Sequence, residues 1–171
     1  MGVVKELVSL EDYLSMSFDG VDAELIDGEV AERPMPNDAH SLAQQVLAEA
    51  FGPARKAGKI LARPELRVQV DPRTVFVPDY CVFAGATRDP RSTNPPWLVA
   101  EIISPSDVYS RLVYKLDHYR AWGVEHVWVI DPEQRRLSVY RQEGLLRVSK
   151  LELPDLGVSL EPADLFDEPA A

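Results

Sequence analysis

"WLVAEIISPSDVYSRLVYKLDHYRAWGVEHVWVIDP", residues 97–132, decides the fold. Its first part, Trp97 to Ile103, is an apolar run of strand length, stopped by Ser104-Pro105-Ser106. The period then changes. At about 100° per residue Val108, Leu112, Leu116 and Tyr119 fall on one stripe, the mark of an amphipathic helix. Ser106 or Asp107 stands where an N-cap belongs and Gly123 where such a helix closes. "EHVWVIDP" returns to a strand. A strand, a helix and a strand in succession make a crossover, and a crossover pairs its two strands in parallel. One residue disturbs this pattern. Glu101 stands in the middle of the first strand, and an ionised carboxylate taken from water without a partner costs several kcal/mol.

Outward from this unit the chain alternates helices and strands. "SLEDYLSM" is a short helix with Ser9 at the N-cap and Asp12 at N3. "AELIDGEVAER" places Asp27-Gly28 between two alternating runs, a strong hairpin signal. "PNDAHSLAQQVLAEAFGPARKAG" is a helix capped by Asn37 or Asp38, with Leu42, Val46, Leu47 and Ala50 on one face. Two strands follow, "KILARPELRVQV" and "TVFVPDYCVFAG", with a turn near Asp71-Pro72. A proline-rich loop, "ATRDPRSTNPP", leads into the Glu101 strand. After Asp131 come "RLSVYRQ", a last strand near "RVSKLEL", and a tail, "DLFDEPAA", expected to fray. The class is α/β or α+β, a mixed sheet flanked by helices. The expected organisation is one domain over residues 1–171: an N-terminal helix and hairpin at about 9–33, a core at about 34–153, and the tail.

Composition narrows the function. Hydrophobic residues make up 46% and charged residues 27%, which describes a globular chain. Cys81 is the one cysteine, so neither a disulfide framework nor a cysteine zinc cluster can form within the chain. No apolar run reaches the length of a membrane span, and the N-terminus does not read as a signal peptide, so a cytoplasmic location with no membrane partner is expected. The balance of 18 Lys+Arg against 28 Asp+Glu, net -10, counts against broad electrostatic binding of nucleic acid and leaves room for a local basic groove.

Asp79 in "VFVPDYCVF" and Glu101 in "LVAEIIS" are acids in apolar strands. If the strands are neighbours, the carboxylates share a cleft, and either one pKa rises or a divalent cation sits between them. Oxygen-only ligation suits Mg²⁺ or Mn²⁺. Equally, Glu101 could pair with an arginine and Asp79 could cap a turn. Lys115 lies about 60° from Leu112 on the helical wheel, at the margin of the buried stripe. There it either leans over the strand end toward an oxyanion or snorkels to water. His40 is either a neighbour of the acids or a first-turn helix residue, and Asp107 is a helix-start residue near the same place. Tyr119 and Trp128 read as core aromatics.

"VPDYCVF", "PPWLVAEIISPSD", "YKLDHYRAWGVEHVWVIDP" and "LSVYR", with "AELIDGE" and "PMPNDAH" before them, together resemble the Uma (Uma-two) family of proposed restriction endonucleases. That family lies within the PD-(D/E)xK nuclease superfamily. The resemblance runs from about Asp12 to Tyr140. It implies a restriction-endonuclease-like fold and an Mg²⁺- or Mn²⁺-dependent endonuclease acting on nucleic acid, with DNA expected, and with a homodimer possible. It implies Asp79 and Glu101 as catalytic acids and metal ligands, Glu24 as a further metal ligand, and His40 and Asp107 as accessories. Where the superfamily lysine belongs this chain has Ile103, and the resemblance implies that the lysine has migrated to Lys115. Arg63, Arg67, Arg88, Arg91 and Arg111 are candidates for local phosphate contacts. The competing expectation is a nuclease-fold interaction protein without catalysis, which the acidic balance and Ile103 favour.

Overall fold

The computed structural model describes residues 7–20, 22–89 and 93–167. In chain order the elements begin with α1 (Leu10–Ser15), β1 (Ala23–Ile26), β2 (Glu29–Glu32), α2 (Asp38–Lys56), β3 (Ile60–Pro64) and β4 (Val68–Asp71). They continue with β5 (Thr74–Phe76), β6 (Tyr80–Ala84), β7 (Leu98–Ile102), α3 (Tyr109–Trp122), β8 (His126–Asp131) and β9 (Arg136–Arg141). The last are β10 (Gly144–Val148), β11 (Leu151–Leu153), β12 (Val158–Leu160) and α4 (Pro162–Phe166).

The crossover forms as its periodicity predicts. β7 and β8 pair in parallel, with Glu101 opposite Val129, and α3 joins them. Gly123 closes α3 in the left-handed region at φ 103°, where a residue with a Cβ is strained. The start of α3 differs from the reading above. The N-cap is Val108, with no side-chain cap, because Asp107 turns back to accept the Ser104 amide at 2.6 Å.

A mixed sheet in the order β10-β9-β8-β7-β6-β3 carries the core, and β2-β1-β5-β4 forms a second sheet. Strand alternation sorts side chains cleanly between the faces of the first sheet. Ile60, Ala62, Tyr80, Val82, Leu98, Ala100, Ile102, Trp128 and Ile130 pack with Leu47 and Phe51 of α2. Cys81, Phe83, Val99, Val127 and Val129 pack with Leu112, Leu116 and Tyr119 of α3. Burying each such apolar side chain stabilises by roughly 1.5–3 kcal/mol, so both faces are anchored. The period of two that puts Val99 under α3 puts Glu101 there as well.

Two regions depart from the sequence reading. The segments read as two long strands are four. The first breaks at Glu65, whose φ is 47°, and the second at Val77-Pro78-Asp79, where proline offers no amide to a ladder. β3 and β6 therefore stay in the first sheet while β4 and β5 fold into the second. Asp79 sits at the break, its carbonyl held by the Gln44 side chain at 2.9 Å. The tail expected to fray, residues 164–171, begins inside α4 (Pro162–Phe166), and residues 168–171 lie outside the described residues. Leu165 is fully buried in the α2-side core, and Arg135 pairs with Asp167 at 2.8 Å. No described helix is long and apolar enough to cross a membrane.

Candidate active site

Glu24, Asp79, Glu101 and Lys115 line one cavity of about 50 Å³ in the seam between the sheets and α3. A water needs roughly 10–15 Å³ of such space, so the cavity has room for a few waters. Each of the four side chains is buried: Glu24 comes from β1, Glu101 from β7, Lys115 from α3, and Asp79 from the break between β5 and β6.

Lys115 is the hub of one half. Its ammonium lies 2.8 Å from Glu24 Oε1 and 3.0 Å from both oxygens of Glu101. The Tyr119 hydroxyl donates to Glu101 Oε1 at 2.6 Å, and the Val77 amide donates to Glu24 Oε1 at 2.8 Å. Phe76 closes the group from the second sheet, its ring centroid 5.7 Å from the ammonium. Asp79 is the hub of the other half. Its Oδ2 accepts the Ile102 amide at 2.7 Å, and its Oδ1 accepts Arg33 Nη2 at 2.8 Å. His40 Nε2 stands 3.2 Å from that same Oδ1.

The electrostatics follow from three carboxylates held near two permanent cations. Burial lifts Glu101 to about 7; Lys115 opposes this, and the Asp79 and Glu24 charges add to it. Burial also works against the Lys115 ammonium, but Glu101, Glu24 and Asp79 outweigh it and raise its pKa. Asp79 moves the other way. Its burial is outweighed by His40, Lys115 and Arg33, which hold the carboxyl below its usual range. Burial disfavours the His40 imidazolium, yet Asp79 raises its pKa on balance. Asp107, on the cavity wall, is raised chiefly by burial.

The site residues expected from sequence thus meet in one cavity: Glu24, His40, Asp79, Glu101, Asp107 and Lys115 all line it, and Ile103 does too. Among the described residues no three His, Cys, Asp or Glu side chains stand close enough to share one ion, because Lys115 and Arg33 lie among the acids. Of the candidate phosphate-contacting arginines, only Arg111 reaches the cavity among those described, donating to the Glu32 carbonyl at 3.1 Å. Arg67 is committed to Asp22 and stacked over Tyr13, Arg63 donates to the Ala62 carbonyl, and Arg88 lies over Phe83. Arg91 lies outside the described residues. Two residues escaped the sequence reading, Arg33 and the hydroxyl of Tyr119. Nothing in the "ERPMP" run or in the apolar stripe of α3 signals either.

The family model described as "Putative restriction endonuclease", Uma2, matches residues 10–167. The chain belongs to the Uma2 family. As a Uma2 member it is also similar to a solved structure described as "a putative nuclease belonging to DUF820" from Anabaena variabilis. The two share 26% identity and a TM-score of 0.79, over 93% of this chain and 97% of that one. The match extends to the mixed sheet and flanking helices of this Uma2 protein. The chain matches no curated protein.

Proposed function

We propose that this protein is an Mg²⁺- or Mn²⁺-dependent endonuclease that hydrolyses phosphodiester bonds, with DNA as its substrate. One observation carries the reading: four buried ionisable side chains, Glu24, Asp79, Glu101 and Lys115, line a single cavity in a chain of a nuclease-like family. Solvated surface charges do not produce that arrangement, and buried charge without a use costs stability.

The donor set fits a hard cation. Its ligands are oxygens, and Mg²⁺ is ordinarily held by one or two carboxylates and keeps several waters, so a dedicated three-acid cage is not required. Asp79 and Glu101 would hold the ion, with Glu24 the third acid of the cavity. Burial lifts Glu101 to about 7 even with Lys115 beside it, and a bound cation would favour its ionised form. When bound, the ion supplies Lewis-acid polarisation of the phosphate and acidifies water. The remaining work falls to this chain. Tyr119 fixes one oxygen of Glu101, and the Ile102 amide fixes one oxygen of Asp79, so both carboxylates are held in one orientation. Glu101 accepts a proton from the attacking water. Lys115 donates to a phosphoryl oxygen, where negative charge grows. Attack at phosphorus forms the new P–O bond and breaks the P–O3′ bond, and the departing 3′ oxygen takes a proton from solvent, which leaves a 5′-phosphate and a 3′-hydroxyl.

Plasmid nicking in Mg²⁺, Mn²⁺ and EDTA, with Glu101→Ala and Lys115→Ala alongside, tests this. Metal-dependent cleavage that disappears in Glu101→Ala is the expected result. A second reading, an inactive nuclease-fold interaction protein, is favoured by the Lys115 ammonium already pairing with Glu24 and Glu101. On that reading no DNA or RNA is cut, and divalent ions do not raise the melting temperature of the wild type.

A further inference from the structure

Arg33 is a cation of the cavity with unfinished bonding. Its Nη2 donates to Asp79, but its Nη1 is buried and makes no hydrogen bond among the described residues. Glu65 Oε1 stands 3.8 Å from Nη1, beyond hydrogen-bond range. A buried donor without an acceptor is costly, and an acceptor arriving with a ligand removes that cost. The guanidinium side chain is only 9% exposed, whereas the Glu65 side chain is 42% exposed. Glu65 also sits at φ 47°, at the break between β3 and β4, and both residues line the cavity. Arg33 precedes Pro34, which biases its backbone toward the extended form, and Asp79 holds its side chain through Nη2. A planar fork of donors matches phosphate oxygens as it matches carboxylate oxygens.

We propose that Arg33 and Glu65 form an exchangeable anion site at the cavity rim. A backbone phosphate of a nucleic-acid strand replaces the Glu65 carboxylate opposite Nη1, while Nη2 stays on Asp79. This rests on the nuclease reading and adds the residue that seats the strand beside the acids. The contact is with the backbone, so it positions the strand without reading its sequence.

The test is fluorescence anisotropy of a short labelled duplex and its single strand, in EDTA and in Ca²⁺, over a salt series. The proteins are wild type, Arg33→Gln, Arg33→Lys, Glu65→Gln and the Arg33→Gln/Glu65→Gln double variant, each with a melting curve, and wild-type plasmid cleavage is run in parallel. Arg33→Gln is expected to bind about tenfold more weakly and to lose about one phosphate from the salt slope. Glu65→Gln is expected to bind more tightly, but only while Arg33 is present, so the double variant resembles Arg33→Gln alone. Should Arg33→Gln fail to fold, Arg33→Lys decides, since an ammonium keeps the charge beside Asp79 but lacks the planar fork that presents Nη1 to a phosphate while Nη2 stays on Asp79. Wild-type affinity in a folded Arg33 variant overturns the proposal and leaves the nuclease reading standing. So does a gain from Glu65→Gln that persists without Arg33. A wild type that neither binds nor cuts any strand overturns both.

Discussion

The two faces of the six-stranded sheet are built from the same strands and hold themselves together differently. Under α2 the contacts are mostly apolar: Phe51 stacks on Tyr80 at 5.7 Å between ring centroids and leans on Trp128 at 6.0 Å, and only at one end do His40 and Gln44 meet Asp79. Under α3 the apolar packing of Leu112, Leu116 and Val99 is interrupted at one end by Glu24, Glu101 and Lys115. An apolar face gains stability from area and tolerates small errors of position. An ionic cluster gains little net stability, because the Coulomb energy mostly repays desolvation, but it suffers severely when one member is lost. The face under α2 therefore mainly serves the fold, and the face under α3 carries a cluster in which the loss of any one member is costly.

The largest expected effect breaks the comparison from the apolar side. Phe51→Ala removes a fully buried ring and should destabilise by about 3–5 kcal/mol in urea unfolding. Against the roughly 5–15 kcal/mol of an ordinary domain this is a large share, and a loss below about 1 kcal/mol would show that the α2 face is not tightly packed. On the ionic side, Lys115→Met keeps the volume but leaves Glu24 and Glu101 facing each other without their cation. A loss of about 3 kcal/mol is expected, most of it recovered by adding Glu101→Gln. If the second substitution recovers nothing, the lysine acts through packing and the ionic account of this face fails.

Tyr119→Phe sharpens the comparison within the ionic face. It deletes one hydroxyl and leaves the ring in its edge-on contact with Phe76 at 5.3 Å. The 2.6 Å bond it removes is to a carboxylate, so about 1.5–3 kcal/mol should be lost. The same change at Tyr140, whose hydroxyl bonds an exposed Asp117, should cost much less. Equal losses at the two positions would mean that burial does not set the value of the Glu101 contact.

What the sequence reveals tracks this same division. The crossover is readable because a period of two gives way to a period near 3.6 and back again, and both periods survive folding. The hairpin at Asp27-Gly28 is readable because two consecutive positive φ values, 52° and 86°, call for those residue types. The splitting of two long strands into four is not, because it depends on Glu65 taking a left-handed conformation and on which sheet receives each half. The one strand expected near "RVSKLEL" is the end of β10 and all of β11, split at Ser149-Lys150, while β12, three residues long, is too short to show a period, and α4 is recognised by where Leu165 lands rather than by its pattern. In the site, Asp79, Glu101 and Lys115 stand out as charges in apolar settings. Arg33 does not, since a charged residue before Pro34 reads as surface, and Tyr119 looks like any core aromatic until α3 docks and its hydroxyl meets Glu101.

The smallest expected effect lies outside both faces, where α1 covers the second sheet. Arg67 donates to both oxygens of Asp22, while its guanidinium rests over Tyr13 at 5.0 Å and Phe18 at 5.5 Å. The bond from Arg67 holds the Asp22 carboxyl below its usual range, against a smaller opposing effect of burial. A depressed folded-state pKa adds stability above the unfolded aspartate value of about 3.9, and that stability is lost as pH falls through the folded value. Asp22→Asn should therefore melt slightly below wild type at pH 7, within the ~0–1 kcal/mol of a partly exposed pair, and the two curves should converge as pH falls through the lowered folded-state value. The buried cluster answers to desolvation and this pair answers to water. A gap at pH 7 as large as that of Lys115→Met would mean that ion pairs in this fold are not ranked by burial.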